Sequence, residues 1–162
     1  MIETRGEMAA RLLIEEKLTI STAESLTGGM LASAIIDSKL GISTSFKEGY
    51  ITYSNEAKIR DLGVSKKTLE GYGAVSEETA REMVVGVQGK SHTDIAVSTT
   101  GIAGPGGDTA IKPLGLTYIA IWNRGQIKVY CEVFQGDRNE IRKAVVNYAL
   151  DRLITILKPE SK

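Results

Sequence analysis

Three polar segments of this chain carry residue types that could take part in nucleophilic chemistry. The first contains Ser25, the second contains Tyr53 and Lys58, and the third is a glycine-rich stretch over residues 99–108. A serine hydroxyl is a weak nucleophile until a base takes its proton, and a neutral lysine amine can be that base. A serine–lysine pair is therefore one candidate for catalysis.

Lys58 is the most informative charge in these segments. It is predicted to lie in the first turn of a helix capped by Ser54 or Asn55, where the positive end of the helix dipole disfavours a cation. Partial burial would lower its pKa further. A lysine on a solvated helix face satisfies the same pattern, so position alone does not choose between a base and a surface charge.

The segment around Ser25 is predicted to turn from a strand into a helix that opens on Gly28 and Gly29. Glycines at such a turn let a ligand approach the backbone, and the free N–H groups of a first helical turn can bind an anion. Ser25 would then point into a crevice. The alternative interpretation is that Ser25 or Thr27 only caps the helix.

The glycine-rich loop over residues 101–107 is a candidate anion-binding nest or a mobile lid. It is not a P-loop, because no Gly-Lys-Ser/Thr follows the glycines, and its spacing is not that of a dinucleotide fingerprint. Arg138, at the predicted start of the last helix, is a candidate phosphate ligand. A solvated surface arginine is the alternative.

The chain contains one histidine, His92, and one cysteine, Cys131. A zinc site of the Cys/His type needs several such ligands, and a Ser-His-Asp site would have to use His92. His92 lies in a polar stretch typical of an exposed loop, whereas Cys131 alternates with Val129 and Val133 and is predicted to lie in the core. We therefore expect no metal, no cofactor and a base other than histidine.

Composition narrows the range of partners. Lys plus Arg and Asp plus Glu number 20 each, so the formal net charge is zero. Such a chain has no global field that attracts nucleic acid or anionic lipid, so any anion must be held by a local site. No apolar run is long enough to cross a bilayer, and the first ten residues lack the apolar core of a signal peptide. We expect a cytoplasmic protein that binds neither nucleic acid nor membrane. Formation of a homo-oligomer is possible and stays open at this point.

Helical and strand-like patterns alternate along the chain, which predicts a single domain over residues 1–162. The end of a helix is predicted over residues 8–17, and further helices over residues 27–38, 54–60 and 76–88 and after Gly136. Strands are predicted over residues 18–23, 46–53, 94–100, 114–122 and 127–134. Strands separated by helices should be parallel, and the last two should form an antiparallel hairpin. The predicted fold is α/β, a three-layer α/β/α sandwich with a mixed, mostly parallel sheet. The carboxyl ends of its parallel strands would gather the three polar segments.

Five segments, taken together, resemble the CinA C-terminal-domain family. They are TAESLTGG (22–29), GYITYSNEAK (49–58), GAVSE (73–77), TGIAGPGG (100–107) and GDR (136–138). They follow the family's order and extend over nearly the whole chain. The family includes nicotinamide-nucleotide amidases, which hydrolyse nicotinamide mononucleotide to nicotinic acid mononucleotide and ammonia without a metal. The resemblance implies a three-layer α/β/α fold and a small nucleotide as substrate.

The resemblance also implies roles for individual residues. Ser25, Tyr53 and Lys58 match the family's serine, tyrosine and lysine, so Ser25 is the expected nucleophile and Lys58 the expected base, with Tyr53 relaying the proton or fixing the geometry. Backbone N–H groups near residues 27–29 would stabilise the tetrahedral oxyanion. The residues expected to bind substrate are Thr27, Gly28, Gly29, Ser43, Thr100, Gly101, Gly104 and Arg138.

The chain departs from the family's pattern at two places. Leu26 stands where many members have cysteine, and residues 41–44 match more loosely around Ser43. The predicted topology places Ser43 near the opposite end of its strand from Lys58. This arrangement favours Ser25 as the nucleophile, unless that strand is reversed or a second subunit contributes.

Two other functions stay open at this point. One is a non-catalytic nucleotide-binding regulatory module linked to competence or DNA damage, and the other is an amidase that acts on a different substrate. Zero net charge and the lack of a basic, aromatic stripe argue against direct nucleic-acid binding. Release of ammonia from nicotinamide mononucleotide separates all three possibilities.

Overall fold

The computed structural model describes residues 2–37 and 41–159. Residues 1, 38–40 and 160–162 lie outside the described part, so the predicted end of a helix at residue 38 lies outside it too. In chain order the helices and strands are α1 (Arg5–Glu15), β1 (Ile20–Glu24), α2 (Met30–Ile36), β2 (Phe46–Ile51), α3 (Asn55–Leu62), α4 (Lys66–Tyr72), α5 (Glu77–Ser91), β3 (Ile95–Gly101), β4 (Leu116–Asn123), β5 (Gln126–Val133) and α6 (Arg138–Leu157).

The strands form one mixed sheet within the described residues, in the order β2-β1-β3-β4-β5. Strand β1 lies between β2 and β3 and is parallel to both, whereas β4 is antiparallel to β3 and to β5. Four of the five described strands therefore run in the same direction. This arrangement confirms the predicted mixed, mostly parallel sheet and brings the carboxyl ends of β1, β2 and β3 to one edge.

Helices cover both faces of the sheet, which confirms the three-layer sandwich. One apolar cluster joins α1, α2 and α6 to side chains such as Ile20 and Val97, and a second joins α3, α4 and α5 to Ala23 and Ala96. Neighbouring strand residues contribute to opposite clusters because side chains alternate between the two faces of a strand. Each face of the sheet is thus buried by its own helical layer.

Helix starts follow the predicted caps at three sites. The Ser54 side chain accepts a hydrogen bond from the Ala57 N–H at the start of α3, and Ser76 caps α5 in the same way. Asp137 and Glu140 form the expected capping box at α6. These side chains satisfy backbone N–H groups that have no acceptor within the helix.

Several predictions of detail are wrong. Helix α2 begins at Met30 and not at residue 27, because Gly28 (φ +57°) and Gly29 (φ +96°) have left-handed backbone conformations that end a right-handed helix. Helix α4 was not predicted. Cys131 is exposed, since β5 is the edge strand and the helices leave its last residues uncovered. His92 is exposed as expected, at the carboxyl end of α5.

None of the helices in the described part of the chain is both long and apolar enough to span a membrane. Among residues 2–37 and 41–159, no three His, Cys, Asp or Glu side chains lie close enough together to hold a metal ion.

Candidate active site

The three polar segments predicted to carry chemistry meet at the carboxyl ends of β1, β2 and β3. The register pairs Glu24 with Ile51 on one side and with Thr99 on the other. Beyond the strand, the Ser25 N–H donates to the Thr99 carbonyl at 3.0 Å, and the Thr52 N–H donates to the Glu24 carbonyl at 2.9 Å. Parallel pairing therefore places Ser25 directly beside the loop that leads from β2 into α3.

Ser25 and Lys58 form a hydrogen-bonded pair at this edge. The Lys58 Nζ lies 3.1 Å from the Ser25 Oγ, 2.8 Å from the Thr52 carbonyl and 3.2 Å from the Tyr53 carbonyl. A neutral amine has two N–H donors and one lone pair. Its donors match the two carbonyls, and its lone pair can then accept the hydroxyl proton of Ser25.

Burial controls the charge of Lys58. The residue is only 1% exposed, and within the described residues it forms no ion pair with a carboxylate. Because burial penalises the charged form, the pKa of Lys58 falls from its usual 10.5 to about 8. The solvated-lysine alternative is therefore wrong for this structure, and a substantial fraction of the amine is neutral near physiological pH.

The backbone that follows Ser25 forms two tight turns. The Gly28 N–H donates to the Ser25 carbonyl at 3.0 Å, and the Met30 N–H donates to the Thr27 carbonyl at 2.9 Å. Of the three N–H groups expected to face an oxyanion, that of Gly28 is thus already used. The N–H groups of Thr27 and Gly29 have no acceptor in the part of the chain that the structure describes. Thr27 is fully buried, so of these two only the partly exposed Gly29 can meet a ligand.

Glu24 holds these turns in place, a role that sequence analysis missed. Its buried carboxylate accepts hydrogen bonds from the Thr27 hydroxyl at 2.7 Å and from the N–H groups of Leu31 and Ala32 at 2.9 and 3.0 Å. The Thr27 hydroxyl also lies 2.8 Å from the Thr99 hydroxyl. The side chain of Thr27 is therefore structural. The available signal was a carboxylate in an otherwise buried strand.

Tyr53 and Arg138 contact each other beside the glycine-rich loop. The Arg138 guanidinium donates to the Tyr53 hydroxyl at 2.8 Å and to the Gly104 carbonyl at 2.7 Å. These two side chains and residues 101–107 line a cavity of about 290 Å³. In the described residues no hydrogen bond joins the Tyr53 hydroxyl to Ser25 or Lys58, so the structure does not bring it to the pair as a proton relay.

Gly101 and Gly104 line this cavity, and Thr100 lies directly before its lining residues. The Thr100 side chain is buried and donates to the Ala74 carbonyl at 2.7 Å, so it anchors the segment before α5. A Cβ on Gly101 would lie 2.5 Å from the Thr117 hydroxyl, and Gly104 has a φ of +72°. The two glycines therefore permit close packing and a sharp bend that side chains would prevent.

Ser43 lies away from the pair. It is exposed in a short 3₁₀ turn over Ile42–Thr44, directly before β2. Since β2 is parallel to β1, Ser43 sits at the amino end of a strand whose carboxyl end leads to Lys58. The strand is not reversed, and its six residues separate the two sites by about 20 Å.

A second cavity, of about 650 Å³, lies between the start of α1, α2 and α6; it is larger than the cavity at the glycine-rich loop and is lined by no predicted site residue. Cavity volume alone therefore does not identify the candidate active site.

Comparisons with known proteins support the fold and the resemblance found in the sequence. A family model, CinA C-terminal domain, matches residues 3–157 and confirms the predicted resemblance. The chain is 56% identical over 143 residues to a CinA-like protein of Fusobacterium nucleatum, a match that covers 88% of this chain and 34% of that protein. The chain spans about a third of the length of the curated relatives it matches.

Two solved structures are similar over nearly their whole length. The competence/damage inducible protein CihA from Agrobacterium tumefaciens is 40% identical with a TM-score of 0.88, and the match covers 98% of this chain and 99% of that one. A competence-damaged protein (CinA) superfamily protein from Klebsiella pneumoniae is 35% identical with a TM-score of 0.90, covering 94% and 95%. The names of these relatives specify no reaction.

Proposed function

The chain belongs to the CinA C-terminal domain family, and from that premise we propose that it is an amidohydrolase that converts nicotinamide mononucleotide and water to nicotinic acid mononucleotide and ammonia. The observation that carries the proposal is the contact of 3.1 Å between the Ser25 Oγ and the buried Lys58 Nζ. A hydroxyl beside an amine that is readily neutral is the arrangement that activates a serine nucleophile.

The reaction begins with proton transfer from Ser25 to neutral Lys58. As the Ser25 Oγ attacks the carboxamide carbon, a C–O bond forms and the carbonyl electrons move onto oxygen. The N–H group of Gly29, which is partly exposed and has no acceptor within the described residues, supplies a donor for this oxyanion. Lys58 then gives its proton to the leaving nitrogen, the C–N bond breaks and ammonia departs.

The second half of the reaction uses the same groups. Water attacks the acyl-enzyme while Lys58 takes one of its protons, and the Gly29 N–H again stabilises the oxyanion. When the bond to the Ser25 Oγ breaks, Lys58 returns the proton to that oxygen. The carbonyls of Thr52 and Tyr53 orient the Lys58 amine throughout, because each accepts a hydrogen bond from it.

The cavity beside the glycine-rich loop is the proposed phosphate site. Arg138 is exposed there and uses two of its five N–H donors on Tyr53 and Gly104. The three remaining donors are available for a phosphate, for which a guanidinium is geometrically well suited. In this arrangement Tyr53 and Gly104 orient Arg138, and Tyr53 contributes to substrate binding.

The test is ammonia release from nicotinamide mononucleotide by the purified chain in EDTA. We expect turnover that the chelator leaves unchanged, since the proposed chemistry uses only side chains and backbone. Binding of the mononucleotide without ammonia release would instead support the regulatory module. Release of ammonia from other carboxamides, with the mononucleotide inert, would support an amidase of different specificity.

A further inference from the structure

Arg142 contacts the Ser25 turn from the opposite helical layer. It lies on α6, and its Nε donates to the Leu26 carbonyl at 2.7 Å while its Nη2 lies 3.4 Å from the Thr27 carbonyl. The side chain is half-buried, and within the described residues it forms no ion pair with a carboxylate. Its positive charge is therefore directed at the backbone of the turn.

These contacts determine where two backbone N–H groups point. The C=O and N–H of a trans peptide point in opposite directions. With the Leu26 carbonyl held toward α6, the Thr27 N–H points away from α6. Lys58 lies on α3, in the helical layer on the other side of the sheet from α6. The next peptide carries the Gly28 N–H, which closes the turn onto the Ser25 carbonyl at 3.0 Å.

Gly28 makes the approach of Arg142 possible. A Cβ at this position would lie 3.1 Å from the Arg142 Nη2, and the φ of +57° is one that side chains rarely adopt. The missing side chain therefore serves two purposes, because it permits the turn and leaves room for a guanidinium against it.

We propose that Arg142 is a positioning residue for the attack of Ser25. Its charge-assisted hydrogen bonds to the Leu26 and Thr27 carbonyls hold the turn that follows Ser25, and this turn keeps the Ser25 Oγ beside Lys58 in position for attack. Arg142 acts through the backbone and does not touch the substrate. The inference rests on Ser25 being the nucleophile, but not on the identity of the amide.

A fluorophosphonate probe tests this role independently of the substrate. The Ser25 Oγ attacks phosphorus, the O–P bond forms, the P–F bond breaks, fluoride leaves and Lys58 takes the hydroxyl proton. We expect Arg142→Gln to lower the labelling rate by about ten- to a hundredfold, since a small misplacement of a reacting group can cost about a hundredfold. Arg142→Lys should recover part of the rate, and Lys143→Gln, an exposed neighbour on α6, should leave it unchanged.

Steady-state kinetics with nicotinamide mononucleotide give the second measurement. For Arg142→Gln we expect kcat to fall in parallel with labelling while KM stays within about twofold, because only transition-state interactions are lost. Thermal unfolding shows whether each variant is folded. If Arg142→Gln is misfolded, Arg142→Lys is compared with the wild type in its place.

The possible outcomes separate this role from the proposed reaction. Labelling of Arg142→Gln at the rate of Lys143→Gln would overturn the positioning role, as would a raised KM with an unchanged kcat. A wild-type chain that is labelled at Ser25 but releases no ammonia would overturn the proposed substrate, and the labelling rates would still test the role of Arg142. A wild-type chain that is not labelled would overturn the assignment of Ser25 as the nucleophile, and with it the proposed role of Arg142.

Discussion

A serine lies at each end of strand β1, Ser21 within the strand and Ser25 directly after it, and the two serines have different partners. Ser21 and Ala23 face the layer of α3 and α5, and Ser25 contacts Lys58 of α3. At the amino end, the Ser21 hydroxyl lies 2.8 Å from the Thr93 hydroxyl and accepts a hydrogen bond from the Ser91 hydroxyl at 2.9 Å. At the carboxyl end, the Ser25 hydroxyl lies beside Lys58.

The difference shows that the partner of a buried hydroxyl determines its chemistry. The partners of Ser21 are other hydroxyls, which exchange hydrogen bonds but do not accept its proton at neutral pH. The partner of Ser25 is an amine whose pKa burial lowers to about 8, so it can accept a proton. Ser21 is also fully buried, whereas Ser25 is 8% exposed. The amino-end cluster is therefore structural, and the carboxyl-end pair is the one suited to catalysis.

The largest expected effect comes from removing each hydroxyl in turn. Ser25→Ala should lower ammonia release by at least about a thousandfold while the mononucleotide still binds, because only the nucleophile is lost. Ser21→Ala should keep most of the turnover and lower the free energy of unfolding by about 1 kcal/mol. Ammonia assays, mass spectrometry of the trapped acyl-enzyme and urea unfolding measure these effects. An inactive Ser43→Ala beside an active Ser25→Ala would assign the nucleophile to Ser43.

The next effect tests whether Lys58 works by losing a proton. Arginine keeps the positive charge but is not deprotonated in proteins. We expect Lys58→Arg to be as inactive as Lys58→Ala, with substrate affinity largely kept. Titration calorimetry and ammonia release measure the two properties. Substantial turnover by Lys58→Arg would make Lys58 an electrostatic anchor and require another proton acceptor.

The pH dependence sharpens the same point. The neutral amine is the active form, so the wild-type rate should rise with pH and level off above the pKa of Lys58, about 8. The unfolded chain binds this proton more tightly than the folded one, so the free energy of unfolding should rise by about 3 kcal/mol as the pH increases from about 8 to 10.5. Lys58→Met should lack this rise, and equal slopes for the two proteins would argue against a depressed pKa.

A smaller effect is expected at the outer side of the carboxyl-end site. Arg138→Ala should weaken binding of the mononucleotide by about ten- to a hundredfold, the range of a charge-assisted hydrogen bond, and should leave the unphosphorylated riboside nearly unaffected. Arg81→Ala, which removes an exposed arginine on α5, is the matched control. Titration calorimetry with both ligands measures the difference. Equal losses for the two ligands would assign Arg138 a structural task.

Local patterns in the sequence predicted most of the elements. Ser54, Ser76 and Asp137 cap helices where expected because a cap depends only on residues within one turn. The exceptions are also local in origin. Helix α2 begins at Met30, later than predicted, because Gly28 and Gly29 both adopt left-handed conformations. The apolar pattern of α4 was too weak to predict a helix.

Contacts between distant residues were harder to predict. Sequence pattern and resemblance proposed the pairing of Ser25 with Lys58, 33 residues apart, but did not establish that Lys58 is buried. The contact of Arg142 with Leu26, 116 residues away, had no sequence signal. Tyr53 was expected beside Lys58, yet its hydroxyl accepts a hydrogen bond from Arg138. Such contacts depend on how whole elements pack.

The sequence by itself determined which residue types are available, which strands alternate with helices, and that the polar segments follow strand ends. Alternation of that kind requires a covered sheet, and parallel strands bring their carboxyl ends to one edge. Only the tertiary structure decided which of two similar serines meets a lysine and whether that lysine is charged. Desolvation depends on every element packed around a side chain, so the pKa of Lys58 is a property of the folded layers and not of its own segment.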